Sequence, residues 1–135
     1  MRGIADTGFL VAFSNRRDFN FPWAHALAES VHEPLLTCEA VLAESAFHLR
    51  NSALVLQLLE TGLVKLAFEI ESHRAELAVL ARRYAARQPD LADLCLIRMS
   101  ELNPRLPVIT VDGDFKIYRR NRRESIPVIM PPDTD

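Results

Sequence analysis

Short apolar strand-like segments alternate with helical segments along this 135-residue chain, and this alternation restricts the fold more than any other feature. The clearest buried strand covers residues 107–111, and further strands are predicted at 3–6, 34–37, 63–68 and 126–130. Helices are predicted at 7–16, 22–31, 39–49, 52–60, 72–86 and 91–102, with one more short helix after Asp114. Short apolar strands separated by helices predict an α/β fold with a mostly parallel sheet flanked by helices.

The length fits one domain, which we place at residues 1–130, followed by a loose tail at 131–135. Apolar residues make up 49% of the chain, which excludes disorder for most of it. No run approaches the roughly 20 apolar residues of a membrane span, and the N-terminus does not resemble a secretory signal. We therefore expect a cytoplasmic protein in which Cys38 and Cys95 are reduced thiols and do not bind zinc.

The acidic residues fall at positions that matter chemically. Asp6 ends the first predicted strand, and Asp112 and Asp114 follow the strand at 107–111. Asp90 and Asp93 open the helix at 91–102. Each of these aspartates could simply cap a helix or form a turn. Glu44 differs, because it lies in mid-helix with apolar neighbours, where a carboxylate is costly unless it is paired or bound to a metal.

Considered together, these carboxylates predict a metal site. Ligands of open parallel sheets bind in the crevice outside the carboxyl ends of the strands, where Asp6 and Asp112 are expected. Two unit charges 4 Å apart repel by about 4 kcal/mol at an effective dielectric constant near 20. A divalent cation relieves that repulsion, and a set of oxygen ligands selects Mg²⁺ or Mn²⁺. Such a site suits hydrolysis of a phosphodiester bond.

The basic residues are also unevenly placed. The formal net charge of −2 gives no overall electrostatic reason to expect a nucleic-acid partner. However, 14 of the 16 basic residues are arginines, and one cluster comprises Lys116, Arg119, Arg120, Arg122 and Arg123. The cluster could be a solvated helix face, or it could bind phosphates through bidentate arginine contacts.

Four segments in this order resemble the PIN domain, and most closely the VapC-like ribonuclease toxins of toxin–antitoxin pairs. They are IADTGFL at residues 4–10, EAVLAE at 39–44, DLAD at 90–93 and TVDGDF at 110–115. No single segment is specific, but their order and spacing extend over essentially the whole chain. The resemblance implies a Rossmann-like α/β/α sandwich and cleavage of RNA that depends on Mg²⁺ or Mn²⁺.

The resemblance also implies roles for individual residues. Asp6, Glu44, Asp93 and Asp112 match the catalytic acidic quartet, with Asp114 as an additional metal ligand. Thr7 and Thr110 match hydroxyl positions that hydrogen-bond the carboxylates, and Asp90 is a supporting acid or only a helix cap. The basic residues at 116–123 would then hold phosphates of the RNA.

Several alternatives stay open at this point. The chain could be a PIN-family nuclease of RNA processing that is not a toxin, or a non-catalytic module that binds RNA or protein. A phosphatase is disfavoured because no DxDxT motif follows the first strand, and dinucleotide binding is disfavoured because no GxGxxG occurs. A homodimer and an antitoxin partner are expected, and the helical surface of Phe21, Trp23, Leu27 and Val31 could serve either one.

Overall fold

The computed structural model describes residues 1–132, so three residues of the predicted tail at 131–135 lie outside the described range. The strands are β1 (Ile4–Ala5), β2 (Leu35–Thr37), β3 (Val64–Leu66), β4 (Val108–Ile109), β5 (Arg119–Arg120), β6 (Glu124–Ser125) and β7 (Val128–Ile129). The helices are α1 (Thr7–Ser14), α2 (Phe21–Glu29), α3 (Glu39–Leu49), α4 (Ser52–Glu60), α5 (Arg74–Arg83) and α6 (Leu91–Leu102).

The strands β3, β2, β1, β4 and β7 form one five-stranded sheet in that order, and every pair in it is parallel. Ile4 pairs with Leu36 on one side and with Val108 on the other, so β1 lies at the centre. The order of strand addition reverses at β1: the chain first adds β2 and β3 on one side of β1 and then β4 and β7 on the other side. The predicted α/β fold with a parallel sheet is confirmed.

Strand β1 and its neighbour β4 are completely buried, and helices pack around them. Ile4, Ala5, Val108 and Ile109 have no exposed surface, which explains why the apolar runs at 3–6 and 107–111 are readable as strands. Helix α6 buries seven of its twelve residues, more than any other described helix. A residue such as Leu96 at the middle of α6 therefore belongs to the core, as the helical periodicity of residues 91–102 predicts.

Three helices are shorter than the sequence predicts, and one of them, α2, ends at Glu29 instead of Val31. Helix α1 ends at Ser14, where Asn15 turns to an extended conformation and its side chain accepts a hydrogen bond from the Arg17 amide. The predicted helix at 72–86 divides into α5 and two short 3-10 turns. Helix α5 stops before Tyr84, whose hydroxyl accepts a hydrogen bond from the Arg119 amide at 2.7 Å. The helical periodicity of residues 72–86 does not predict this contact, because it joins residues that are 35 positions apart.

The prediction of a helix that carries the basic cluster is wrong. A 3-10 turn covers only Gly113–Lys116, and the chain then forms an antiparallel hairpin of β5 and β6. Phe115 and Tyr118 are both buried, which draws this segment onto the domain. Asn121 and Arg122 adopt positive φ angles of 48° and 74° in the turn, a backbone conformation that ends any helix.

Cys38 and Cys95 are both buried free thiols, as expected for reduced cysteines. Among residues 1–132, no helix has the length and apolar character that crossing a membrane would require.

A close approach between α1 and the end of β4 depends on Gly8. A Cβ atom on Gly8 would lie only 2.3 Å from Cγ2 of Val111, which is well inside van der Waals contact. Glycine therefore allows the start of α1 to lie against the chain that leaves β4. Both residues line the cleft described below, so this contact also sets its shape.

We predict that Gly8→Ala lowers the free energy of unfolding by about 1–3 kcal/mol, because the added methyl group must displace Val111. Urea unfolding measures this loss. The matched control is Gly113→Ala, since a Cβ atom there meets nothing within 4 Å. Adding Val111→Ala to Gly8→Ala should restore part of the lost stability, and equal losses with and without Val111→Ala would contradict the close approach.

Candidate active site

A cleft of about 440 Å³ opens at the carboxyl ends of β1 and β4. Carboxylates are the most frequent groups in its lining, which also includes a hydroxyl, an amide, an imidazole and three apolar or glycine positions. These lining residues are Asp6, Thr7, Gly8, Val11, Asp18, Asn20, Glu44, His48, Asp90, Asp93, Val111 and Asp112. The predicted quartet of Asp6, Glu44, Asp93 and Asp112 thus meets in one place.

Asp6 is the most firmly held of these acids. It is 5% exposed and joins β1 to α1, where its Oδ1 accepts a hydrogen bond from the Thr7 amide at 2.6 Å. Its Oδ2 accepts one from the Thr110 hydroxyl at 2.6 Å. Thr110 Oγ1 in turn accepts a hydrogen bond from the Asp112 amide at 2.9 Å. Thr110 therefore fixes the orientation of Asp6 and the path of the chain at Asp112.

Asp93 is held from the other side of the cleft, in the first turn of α6. The Tyr118 hydroxyl donates a hydrogen bond to Asp93 Oδ2 at 3.1 Å. Asp90 caps α6, because its Oδ1 accepts a hydrogen bond from the Asp93 amide at 2.8 Å. The predicted cap at Asp90 is confirmed, and Asp90 lines the cleft as well. Tyr118 is not among the predicted site residues, since only the folded hairpin brings it to α6.

Glu44 reaches the cleft from α3, which packs against α1. Burial is the main cause that raises its pKa to about 7, and the neighbouring Asp90 raises it further. The buried hydroxyl of Thr7 has no hydrogen-bond partner at normal distance within residues 1–132, yet it is near enough to lower the pKa of Glu44 in part. An unpartnered hydroxyl facing several carboxylates is a position that a bound water or ion would satisfy.

Asp112 and Asp114 have different environments. Asp112 lines the cleft, and its Oδ1 accepts a hydrogen bond from the Asp114 amide at 2.9 Å. Asp114 is not among the lining residues, and its carboxylate lies 3.4 Å from the Arg87 guanidinium. The structure therefore places Asp114 at the rim of the cleft, in an ion pair, and not inside with the quartet.

The acids share the cleft at a cost in free energy. Burial raises the pKa of Asp6 to about 6, although hydrogen bonds from Thr110 and Thr7 oppose the change. Burial raises the pKa of Asp93 to about 8, with further contributions from the charges of Asp90 and Asp6. Carboxyl groups with pKa values this high are partly protonated near neutral pH, which is how a cluster of acids avoids full repulsion when no cation is bound.

Three polar lining residues are absent from the predicted site residues. Asp18 and Asn20 belong to the loop between α1 and α2, which the sequence indicates only as a helix break. His48 is predicted as a surface or packing residue, although it lies one helical turn after Glu44 on the same face of α3. That i, i+4 spacing is the available signal for His48. The loop residues give no local signal, because their placement depends on the packing of α1 against α2.

The residues of the cleft could bind a cation that keeps part of its water shell, but they do not form a complete set of protein ligands. No three His, Cys, Asp or Glu side chains within residues 1–132 are grouped closely enough to hold a metal ion by themselves. Mg²⁺, however, usually binds through one or two carboxylates and keeps several of its waters. Asp6 and Asp93 present carboxylate oxygens to a cleft with room for such waters. The residues therefore fit a hydrated Mg²⁺ or Mn²⁺, and they do not fit a closed cage of protein ligands.

The basic cluster is divided by the fold. Arg120 is only 5% exposed, and its guanidinium donates hydrogen bonds to Ser100 and to Glu124, so it holds the hairpin onto α6 and does not face solvent. Arg119 directs its Nη1 to the backbone carbonyls of residues 116–118. The side chains left exposed are those of Lys116, Arg122 and Arg123. The prediction that Arg120 contacts phosphate conflicts with its burial.

A family model described as the PIN domain matches residues 4–121, which covers most of the chain and all the acids of the cleft. The chain belongs to the PIN-domain family. The predicted family is thereby confirmed, and the parallel sheet with its flanking helices is the architecture expected of a PIN domain. A comparison with curated proteins finds no significant match.

Membership of the PIN family also carries a general chemical meaning. PIN domains are generally nucleases, which hydrolyse phosphodiester bonds, and they typically use divalent metal ions. The cleft of this PIN domain has the oxygen-rich lining that such chemistry needs, at the switch point of a parallel sheet where ligands of α/β proteins bind.

The raised pKa values predict how the stability of the metal-free protein depends on pH. The folded state keeps protons on Asp6 (pKa about 6) and Asp93 (pKa about 8) that the unfolded chain loses above about pH 4. These groups therefore destabilise the folded state progressively as the pH rises from about 4 to 8. Asp93→Asn should raise the free energy of unfolding by about 1 kcal/mol at pH 8, with a smaller gain at pH 5.

Chemical unfolding in EDTA at both pH values measures this effect. Glu60→Gln is the control, because Glu60 is an exposed acid at the end of α4, outside the cleft. Its effect should be the same at pH 5 and pH 8. A loss of stability in Asp93→Asn at pH 8 would contradict the proposed repulsion between the acids.

Proposed function

We propose that this PIN domain is an endoribonuclease that hydrolyses RNA phosphodiester bonds with Mg²⁺ or Mn²⁺. The observation that supports this most strongly is the convergence of Asp6, Glu44, Asp93 and Asp112 on one cleft. Burial, together with their mutual repulsion, is the physical reason for a divalent cation there, since both raise the pKa of Asp6 and Asp93 when none is bound. A phosphodiester backbone can also approach only because a cation offsets these negative charges.

The hydrogen bonds of each carboxylate suggest its role in the proposed reaction. Asp6 and Asp93 are the proposed direct metal ligands, because Thr110 and Tyr118 orient them. Glu44 and Asp112 would ligate through water or hold a second ion. When bound, a divalent cation lowers the pKa of a water molecule and neutralises charge that develops on the phosphate. Glu44, whose carboxyl lines the cleft from mid-helix, would be the proton acceptor for that water.

Binding of the RNA backbone is assigned to the exposed basic residues of the segment that follows Asp112. Lys116 lies four residues after Asp112, and Arg122 and Arg123 lie in the hairpin turn, where the neighbouring Asn121 amide donates to Glu101 near the C-terminal end of α6. Arg119 keeps a supporting position, whereas Arg120 is committed to the interior contacts described above. Arg87 joins this surface through its ion pair with Asp114 at the rim.

The toxin role is part of the proposal, and it is supported by the resemblance of the four sequence segments to VapC-like toxins. An antitoxin and a second copy are the partners that the resemblance implies, and the predicted helical surface contributes to one depression. This depression, of about 700 Å³ between α1, α2 and α4, is lined in part by Phe13, Phe21 and Leu58. By contrast, Trp23, Leu27 and Val31 pack against the core, so Phe21 is the member of the predicted helical surface that faces this depression.

The activity is tested by incubating total RNA with the protein and Mn²⁺. We expect cleavage that EDTA abolishes, and a loss of about 10²- to 10⁴-fold in Asp6→Asn or Asp93→Asn, because each removes a charged ligand. Glu60→Gln is the matched acid-to-amide control and should cleave like the wild type. Cleavage that persists in both Asp→Asn variants would refute the assignment of the site.

The phosphate-binding surface is tested separately with the double variant Arg122→Ala, Arg123→Ala. Its affinity for single-stranded RNA should be lower, and the slope of log K against log salt should shrink by about 0.7 for each phosphate that the variant no longer neutralises. Its unfolding free energy should stay within about 0.5 kcal/mol of the wild-type value, since both residues are exposed.

Arg120→Ala should instead cost about 1–3 kcal/mol of stability, because Ser100 and Glu124 lose their partner. Equal stability losses in the two variants would contradict this division.

A further inference from the structure

Two phenylalanines that are neighbours, in the chain, of residues lining the acidic cleft are unusually exposed. Phe19 and Phe47 each keep 78% of their surface exposed, more than any other large apolar side chain among residues 1–132. Phe19 lies between Asp18 and Asn20, which both line the cleft. Phe47 directly precedes His48, another lining residue. A single exposed apolar residue needs no explanation, but two aromatic rings beside the same polar site call for one.

Phe47 belongs to a second depression that adjoins the first. This depression has a volume of about 550 Å³, and its lining residues are Ala46, Phe47, His48, Arg50, Asn51 and Ser52. His48 lines both it and the acidic cleft, so the two form neighbouring compartments. The Phe47 and His48 rings pack edge to face with centroids 5.7 Å apart. This contact supports one part of the Phe47 ring and leaves most of the ring open to solvent.

Arg50 occupies this depression at a backbone position that favours glycine. Its φ of 52° and ψ of 37° are left-handed, and its amide closes α3 by donating to the Ala46 and Phe47 carbonyls. A non-glycine residue costs roughly 1 kcal/mol or more in this conformation. The tight turn places Arg50 in the same depression as an exposed aromatic ring. Asn51 and Ser52 add an amide and a hydroxyl beside it.

The groups in this depression match the parts of a nucleotide. An open aromatic face stacks on a base, a guanidinium binds a phosphate, and amide and hydroxyl groups hydrogen-bond base edges or ribose. Such stacking requires a base that is not already stacked inside a duplex, which means a single-stranded segment. A protein partner would instead favour a broader apolar surface than one ring surrounded by polar side chains.

We propose that this depression binds one nucleotide of single-stranded RNA next to the phosphodiester in the acidic cleft, with its base stacked on Phe47 and a phosphate on Arg50. The proposal rests on the proposed ribonuclease function and adds a base-binding subsite to it. Phe19 provides a second stacking surface at the loop side of the cleft. The subsite favours a particular register of the RNA, because a stacked base fixes which phosphodiester lies among the carboxylates.

The test combines a change in the protein with a change in the RNA. Fluorescence anisotropy with Ca²⁺ in place of Mn²⁺, so that a divalent cation still offsets the charge of the carboxylates, measures the binding of ten-nucleotide single-stranded RNAs that carry one abasic residue, placed at each position in turn. With wild-type protein, one abasic position should weaken binding about 5- to 150-fold, the usual effect of losing one stacked base. Phe47→Ala should weaken binding of the intact RNA by a similar factor, and the abasic position should then have little further effect. Phe47→Trp should bind like the wild type or more tightly.

Leu56→Ala is the matched control, since Leu56 is 62% exposed on α4 and does not line either compartment. It should leave RNA binding unchanged. Cleavage of the same intact RNA with Mn²⁺ is measured in parallel, where Phe47→Ala should raise KM while kcat changes less than about threefold, because Phe47 makes uniform binding contacts.

Different failures have different meanings. Wild-type protein that binds RNA but never cleaves it would overturn the proposed function. The comparison of intact and abasic RNA on wild-type and Phe47→Ala protein would still show whether the base-binding subsite exists. Equal losses from the abasic residue in wild-type and Phe47→Ala protein would overturn the subsite, even if cleavage is observed. A Phe47→Ala variant that binds RNA normally but changes its oligomeric state in sedimentation would identify a protein interface, and would also overturn the subsite.

Discussion

The hydrogen bond from the Thr110 hydroxyl to the Asp6 carboxylate, 2.6 Å long, joins the ends of the two central strands. The two residues are 104 positions apart, so only the parallel pairing of β1 with β4 brings them together. The same hydroxyl accepts from the Asp112 amide and thereby fixes where the chain leaves β4. The strand pairing and this contact together fix the position of Asp6 and Asp112 in the cleft, and α3 and α6 contribute Glu44 and Asp93.

Repulsion among these acids links the fold to the proposed chemistry. Burial and neighbouring charge raise the pKa values of Asp6, Glu44 and Asp93 into the range from about 6 to about 8. The metal-free cleft is therefore less stable than a neutral lining would be, and cation binding recovers that free energy. The same cation permits a polyanion to approach the carboxylates. A net charge of −2 thus combines an acidic cleft with exposed basic groups elsewhere on the surface, among them Lys116, Arg122 and Arg123.

Local sequence patterns predict the buried strands and the helix caps of this structure, but not the features that depend on tertiary contacts. Residues 107–111 are readable as a strand because their apolar run is largely buried, and Asp90 is readable as a cap because it precedes a helical period. The conformation of the basic segment is not readable in this way, because it depends on the burial of Tyr118 and Arg120, which are tertiary contacts. For the same reason the sequence does not indicate that Tyr118 orients Asp93, or that the loop at Asp18 returns to the cleft.

The most direct test of the carboxylate cluster is calorimetric titration of metal-free protein with Mn²⁺ at pH 7, in buffers that differ in ionisation enthalpy. Because Asp93 and Glu44 are largely or partly protonated in the metal-free cleft, binding should release about one to two protons per protein. The number released should fall in Asp93→Asn and stay unchanged in Glu60→Gln. Failure to bind Mn²⁺, or binding without proton release, would contradict a cation site formed by these acids.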